Sequence, residues 1–251
     1  MVERPILMST PMVTALLEGL KSETRRVIKP QPTTNKHVPD RVQDMWLWDL
    51  PKGVSIGTPM RFAQSTAMRE YCPYGQPEDR LWVRETWVQS GQGIWSPRHA
   101  HPDQGPIIYR ADPRFQDMEK GDFGSSWFPS IFMPRWASRL TLEIVTVRAE
   151  RLQSITVAGA KAEGVPLAPM TGNGMTLKEH DGSGYIDSCA QLWDSLNAKP
   201  KPVKGEDGKI SHYVSYPWED VHEVRKHRGK PWYVYGNPWV WVIGFKKVLN
   251  G

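Results

Sequence analysis

Cysteine is scarce in this chain, with only Cys72 and Cys189 among 251 residues. Two thiols cannot build the disulfide framework of a small secreted domain, and a chain this long buries a core without covalent staples. A reducing, cytoplasmic setting is therefore expected. Long apolar runs are also missing. No stretch nears the roughly 18 consecutive apolar residues of a membrane-spanning helix. The opening Met1-Val2-Glu3-Arg4-Pro5 lacks the charged-then-apolar order of a signal peptide, so no membrane role is expected. Several catalytic motifs are absent as well. There is no G-x-G-x-x-G, no Walker loop, no H-E-x-x-H, no C-x-x-C and no G-x-S-x-G. His99-Ala100-His101, the one close histidine pair, sits in a proline-rich loop and is read as solvated rather than as a metal site. Neither a metal nor a cofactor is called for.

What the chain does have is positive charge and tryptophan. The net charge is +5, and there are twelve Trp against eight Tyr and six Phe. A basic balance is compatible with a polyanion such as RNA or DNA. Trp offers a broad stacking face, although a tryptophan-rich core accounts for it equally well.

The hydrophobic pattern predicts a helix capped by Thr10, with Pro11 at its first position and Gly19 at its end, and an apolar stripe of Met12, Ala15, Leu16 and Leu20. A turn and a strand follow through Ile28. Residues 31–72 read as a polar insertion with an aromatic island at Trp46-Leu47-Trp48. Strands are expected at 80–87, 107–111, 140–148 and 237–245. Helices are expected at 155–163, capped by Ser154 and closed by Gly164, and across Tyr185–Leu196. Residues 165–236 read as a second long insertion, basic and weakly periodic from 198 onward. Several strands, few helices and no βαβ alternation give an α+β domain or barrel, with residues 1–251 as one domain carrying the two insertions.

One constellation carries chemistry. Gly19-Leu20-Lys21-Ser22-Glu23-Thr24-Arg25-Arg26 follows the first helix directly. Its Gly-x-Lys-x-x-Thr-x-Arg pattern resembles the opening signature of the ASCH family. Gly75 to Glu85 resembles that family's turn and strand, with Glu78 standing where the family has glycine. Ala160-Lys161-Ala162-Glu163-Gly164 is similar to its Ala-x-x-Glu-Gly helix end, and Trp239–Phe245 to its last strand. The segment Met133-Pro134-Arg135-Trp136-Ala137-Ser138-Arg139 is similar to larger ASCH proteins of bacteriophages and prophages, which would make the setting a host cytoplasm. The resemblance implies a PUA-like mixed β-barrel with flanking helices and a cleft for RNA, a nucleotide or a modified base.

One branch of the family removes the acetyl group from N4-acetylcytidine with a Lys, a Thr and a Glu at these motifs. The resemblance thus makes Lys21, Thr24 and Glu163 the candidate catalytic set of a metal-independent amidohydrolase acting on N4-acylated cytosine nucleosides. Amide hydrolysis needs a nucleophile, a proton acceptor and a proton donor for the leaving amine, and these three side-chain types supply them. A lysine desolvated in a cleft can serve as the base. Arg26, Glu85, Tyr109, Arg135 and Trp136 complete the set as candidate substrate-binding residues. Arg26, two residues past Thr24 on a strand, shares its face.

Other readings stay open. The cations at 21–26 can be helix-end charges. Glu163 can be a solvated residue of a last helical turn. Glu85 can pair with Arg84 or Arg110 on a neighbouring strand. The same cleft suits a non-catalytic RNA or modified-DNA binding module, or a ribonuclease. A protein-interaction role predicts an exposed apolar patch around Trp46 and Trp48.

Overall fold

The structure, a computed structural model, describes residues 1–29, 31, 33–34, 46–47, 71–91, 94, 96–115, 117–118, 126–167 and 182–248. The elements in chain order are β1 (Glu3–Leu7), α1 (Thr10–Leu17), β2 (Glu23–Val27), β3 (Thr33–Thr34), β4 (Trp46–Leu47), β5 (Arg80–Arg84), β6 (Trp87–Gln89), β7 (Ile107–Tyr109) and β8 (Thr141–Arg151). They continue with α2 (Val157–Ala162), α3 (Ser183–Asn197), β9 (Lys201–Lys204), β10 (Ile210–Ser215), β11 (His222–His227), β12 (Lys230–Tyr235) and β13 (Trp239–Val248). The fold is mixed α+β, as the pattern predicts. The sheets have the orders β1-β5-β8-β13-β2, β11-β12-β10-β9, β3-β4 and β6-β7. All are open among the described residues, so the closed barrel that the resemblance implies is not present there.

The chain divides into two compact units. The first comprises Met1–Glu23, Tyr71–Val147 and Ile243–Gly251, and the second Thr24–Glu70 and Arg148–Val242. In the first unit, β1 pairs parallel with β5, and β5 pairs antiparallel with the start of β8. β5 alternates strictly. Leu81 and Val83 are buried, while Arg80, Trp82 and Arg84 are half-exposed, as a strand with one core face requires. Two guanidinium groups approach the Trp82 ring, Arg84 at 5.3 Å and Arg135 at 6.0 Å from its centre. The core here includes Trp87, Val88, Ile94, Phe128, Met133 and Ala137. The cap position of α1 is Ser9, one residue before the expected Thr10, which is itself helical, and α1 buries Val13, Ala15 and Leu16. Leu20, expected on the same stripe, lies beyond the helix end and is exposed. The strand expected at 80–87 breaks at Glu85-Thr86 and resumes as β6.

In the second unit, Leu152, Trp193, Val240 and Val242 form a core with Val27 and Trp218 against it. The Trp193 indole N–H donates to the Tyr216 carbonyl at 2.7 Å, satisfying a donor that would be costly to bury alone. The cap of α2 is Thr156, whose Oγ1 accepts from the Gly159 N–H at 3.1 Å. Ser154, the expected cap, belongs to a preceding single turn of 3-10 helix. Residues 201–235, read from sequence as weakly periodic, fold into the β11-β12-β10-β9 sheet. Most of the insertion at 31–72, with the side chains of Trp46 and Trp48, lies outside the described residues.

Gly236 marks where this sheet admits no side chain. A Cβ there would sit 2.0 Å from the Glu219 carbonyl oxygen and 2.3 Å from the Val221 nitrogen. Both are backbone atoms and cannot swing aside. Gly236→Ala is expected to destabilise the chain by about 1–3 kcal/mol, read as a lower denaturant midpoint with an unchanged slope.

Candidate functional site

The residues singled out by sequence fall into groups within the two units. In the first unit Lys21 is buried, with 5% of its surface exposed, and its Nζ donates to the Glu23 carbonyl at 2.7 Å. In the second unit Thr24 and Arg25, adjacent on β2, are both buried, so both faces of the strand are covered at this point.

Arg25 organises its surroundings. Its side chain is 4% exposed. Nη2 donates to Glu150 Oε1 at 2.9 Å, and Nη1 donates to Glu163 Oε1 at 3.2 Å and to the Gly159 carbonyl at 3.5 Å. The other Glu150 oxygen accepts from Arg148 Nε at 3.1 Å. Arg148 and Glu150 stand two apart on β8 and so share a face. Gly159 makes room for this fork, since a Cβ there would lie 2.9 Å from Nη2. Glu163 ends α2 and is followed by Gly164 at φ 71°, a left-handed position that favours glycine. The carboxylate of Glu163 is 12% exposed. It is a held group, not the solvated residue of the bland alternative. Arg26 is half-buried.

The first unit holds a second charged centre. Glu85 closes β5 and is 1% exposed. It takes two parallel hydrogen bonds from Arg139, Nε to Oε1 and Nη2 to Oε2, each 3.0 Å. The partner is thus Arg139, neither Arg84 nor Arg110. The Arg139 guanidinium lies 4.1 Å from the centre of the Tyr109 ring, and the Tyr109 hydroxyl donates to the Ala137 carbonyl at 2.8 Å. Burial pushes the Glu85 carboxyl up, against the downward pull of Arg139. Burial, then the neighbouring Glu85 charge, pushes the Tyr109 hydroxyl up to about 12. Asp112 is held down at about 2, first by its side-chain hydrogen bond with Arg114.

The segment leading to Arg139 is pinned by Ser138, whose Oγ donates to the Val83 carbonyl at 2.7 Å. Arg135 pairs with Glu3 at 2.9 and 3.2 Å. Trp136 stands edge-on to Trp87 at 6.2 Å and is 40% exposed. Among the described residues, no three or more His, Cys, Asp or Glu side chains gather as a metal site, and no helix is long and apolar enough to cross a membrane.

Two carboxyl groups of the first unit, Glu85 and Asp112, are shifted in opposite directions. The folded chain binds the Glu85 proton more tightly than the unfolded chain does. That contribution to stability is full below the ordinary carboxylate range and is lost as pH rises through the raised value. The contribution of Asp112 is present above its ordinary value and is lost as pH falls towards about 2. Denaturant midpoints measured from about pH 2 to 7 are expected to lose their acid fall in part in Asp112→Asn, and to fall less on the rising side in Glu85→Gln.

Arg139, Arg25 and Glu150 are central to these centres yet outside the candidate set. The one local signal was Arg148-x-Glu150, two charges on one face of an apolar strand. Together the fold and the two centres define an α+β protein with two compact units and a buried ion-pair centre in each. Comparison with family models, with curated proteins and with solved structures finds no match.

Proposed function

We propose that the chain is an amidohydrolase of N4-acylated cytosine nucleosides, with Lys21, Thr24 and Glu163 as its catalytic residues. The observation that carries this reading is the condition of the three side chains. Lys21 and Thr24, polar groups three residues apart, are both buried, and Glu163 is oriented by Arg25 instead of lying free in solvent. Burial holds a side chain in one place, as a catalytic group must be held, and Lys21 is fixed further by the Glu23 carbonyl at 2.7 Å. The pattern Gly-x-Lys-x-x-Thr and the Ala-x-x-Glu-Gly helix end add the resemblance, and with it the PUA-like class.

The chemistry balances as an acyl transfer. Neutral Lys21 takes the Thr24 hydroxyl proton as Oγ1 attacks the acyl carbon. The bond from that carbon to N4 breaks as the Glu163 carboxylate relays that proton from Lys21 to the departing amine. Water then cleaves the threonine ester, Lys21 passing a proton of the water to Thr24 Oγ1 as the carboxylic acid leaves. The net reaction is amide plus water giving amine plus acid. Arg26 and the aromatic and cationic groups Tyr109, Arg135 and Trp136 are the substrate-binding residues in this reading, with Glu85 as the carboxylate beside Tyr109. An RNA or modified-DNA strand carrying the same base is a candidate partner.

The test compares wild type, Thr24→Val and Glu163→Gln on N4-acetylcytidine. Both variants are expected to lose about 10²–10⁴-fold in turnover, with little loss of folded stability in Glu163→Gln because the amide oxygen still accepts from Arg25. Wild-type turnover by Thr24→Val would remove Thr24 from the mechanism. Tight nucleoside binding with no turnover by any of the three would replace the hydrolase with a reader.

A further inference from the structure

The β11-β12-β10-β9 sheet carries an aromatic row that the reading above does not use. Tyr216 and Tyr235 are stacked, with centroids 5.8 Å apart and planes 21° from parallel. Tyr235 and Tyr233 continue the row at 6.4 Å and 20°. His212 meets Tyr233 edge-on at 5.3 Å. The register explains the row. Val214 pairs with Tyr233 in the parallel β10–β12 ladder, so His212 and Tyr216, each two residues from Val214, share the Tyr233 and Tyr235 face. Tyr216 is buried at the inner end, whereas Tyr235, Tyr233 and His212 keep part of their surface open. Ring centroids this far apart at nearly parallel planes make an offset platform rather than a closed stack, which leaves ring faces for other planar groups.

Positive charge borders the row. Lys29 Nζ lies 5.6 Å from the centre of the Tyr216 ring. Lys201 Nζ donates to Asn197 Oδ1 at 3.1 Å. Burial lowers the Lys201 amine, and the Lys29 charge lowers it further, so the two ammonium groups feel one another. Among the described residues neither has a carboxylate partner. A pair of mutually repelling cations beside exposed aromatic faces is stabilised by an anion that also carries planar rings. A nucleic acid strand has both groups at a fixed repeat, with bases for the rings and phosphates for the amines.

We propose that this sheet binds a single-stranded nucleic acid, with bases laid on Tyr235, Tyr233 and His212 and backbone phosphates held by Lys29 and Lys201. The proposal stands independently of the hydrolase reading, because it concerns binding and not turnover.

The experiment is fluorescence anisotropy of the full chain with labelled oligouridylate of about twelve nucleotides, a length within the usual single-strand site sizes. Wild type is expected to bind with an affinity that falls with salt. Tyr235→Ala is expected to weaken binding on the order of tenfold, while Tyr235→Phe keeps the ring and most of the affinity. Lys29→Ala, an exposed position at which folding is preserved, is expected to lower the logarithmic salt slope by about 0.7. The same length of oligothymidylate is expected to bind comparably, because rings and amines do not read the sugar. Absence of binding of either strand at low salt, or unchanged binding in both Tyr235→Ala and Lys29→Ala, would overturn the assignment. None of these outcomes bears on whether N4-acetylcytidine is cleaved.

Discussion

Arg25→Ala is expected to destabilise the chain by about 3–5 kcal/mol, because removing one member of a buried charge network takes from two carboxylates the guanidinium they share. Two carboxylates depend on this guanidinium, Glu150 at 2.9 Å and Glu163 at 3.2 Å, and its side chain is 4% exposed. Arg148 still reaches Glu150 at 3.1 Å, so that carboxylate keeps one of its cations. Arg25→Lys retains the charge but not the fork that spans two carboxylates. It is expected to recover only part of the loss. Denaturant unfolding of the three proteins measures the effect. Under the hydrolase reading both variants also lose turnover, since Glu163 is no longer oriented, and Arg25→Lys should again lie between the other two.

The second large effect is expected at Arg139. Glu85 is 1% exposed and its two oxygens each take a 3.0 Å bond from Arg139. Arg139→Ala leaves that carboxylate buried and unpaired and also strips the cation from the Tyr109 ring. The expected loss is about 3–5 kcal/mol near neutral pH. It shrinks on acidification, because a protonated Glu85 needs no counter-charge. The double variant Glu85→Leu/Arg139→Met is expected to be closer to wild type than Arg139→Ala alone, since an apolar pair of similar volume often replaces a buried ion pair without loss. Unfolding midpoints at neutral and acidic pH check both statements. A double variant as unstable as Arg139→Ala would assign the loss to packing and not to the stranded charge.

The sequence showed what local chemistry controls. The alternation of Leu81 and Val83 in β5, the glycine that ends α2 and the proline in the first turn of α1 are all set by neighbours in the chain. What it hid was set by distance. Arg25 meets Glu150 and Glu163 across 125 and 138 residues, and Glu85 meets Arg139 across 54. A charge in a strand shows no mark of a partner that far away, so the nearer Arg84 and Arg110 seemed equally good. The β9 to β12 sheet was obscured differently. β10 buries Tyr213, Val214 and Ser215 in succession, while β11 is almost wholly exposed. Neither strand then shows the alternation that marks a half-buried strand. Ser154 and Thr156 are both sound caps, and only the start of α2 separates them. The candidate catalytic residues came from the motif resemblance. What the structure adds is that Lys21 and Thr24 are buried and that Glu163 is held by Arg25.

The most direct measurement is a chromatographic time course of N4-acetylcytidine and its deoxy form with wild type and Lys21→Ala, run beside an unmodified RNA. Release of cytidine and acetate by wild type, absent in Lys21→Ala and with the RNA left intact, is the predicted result. No release even at enzyme concentrations matching the nucleoside, or cleavage of the unmodified RNA instead, would contradict the amidohydrolase account.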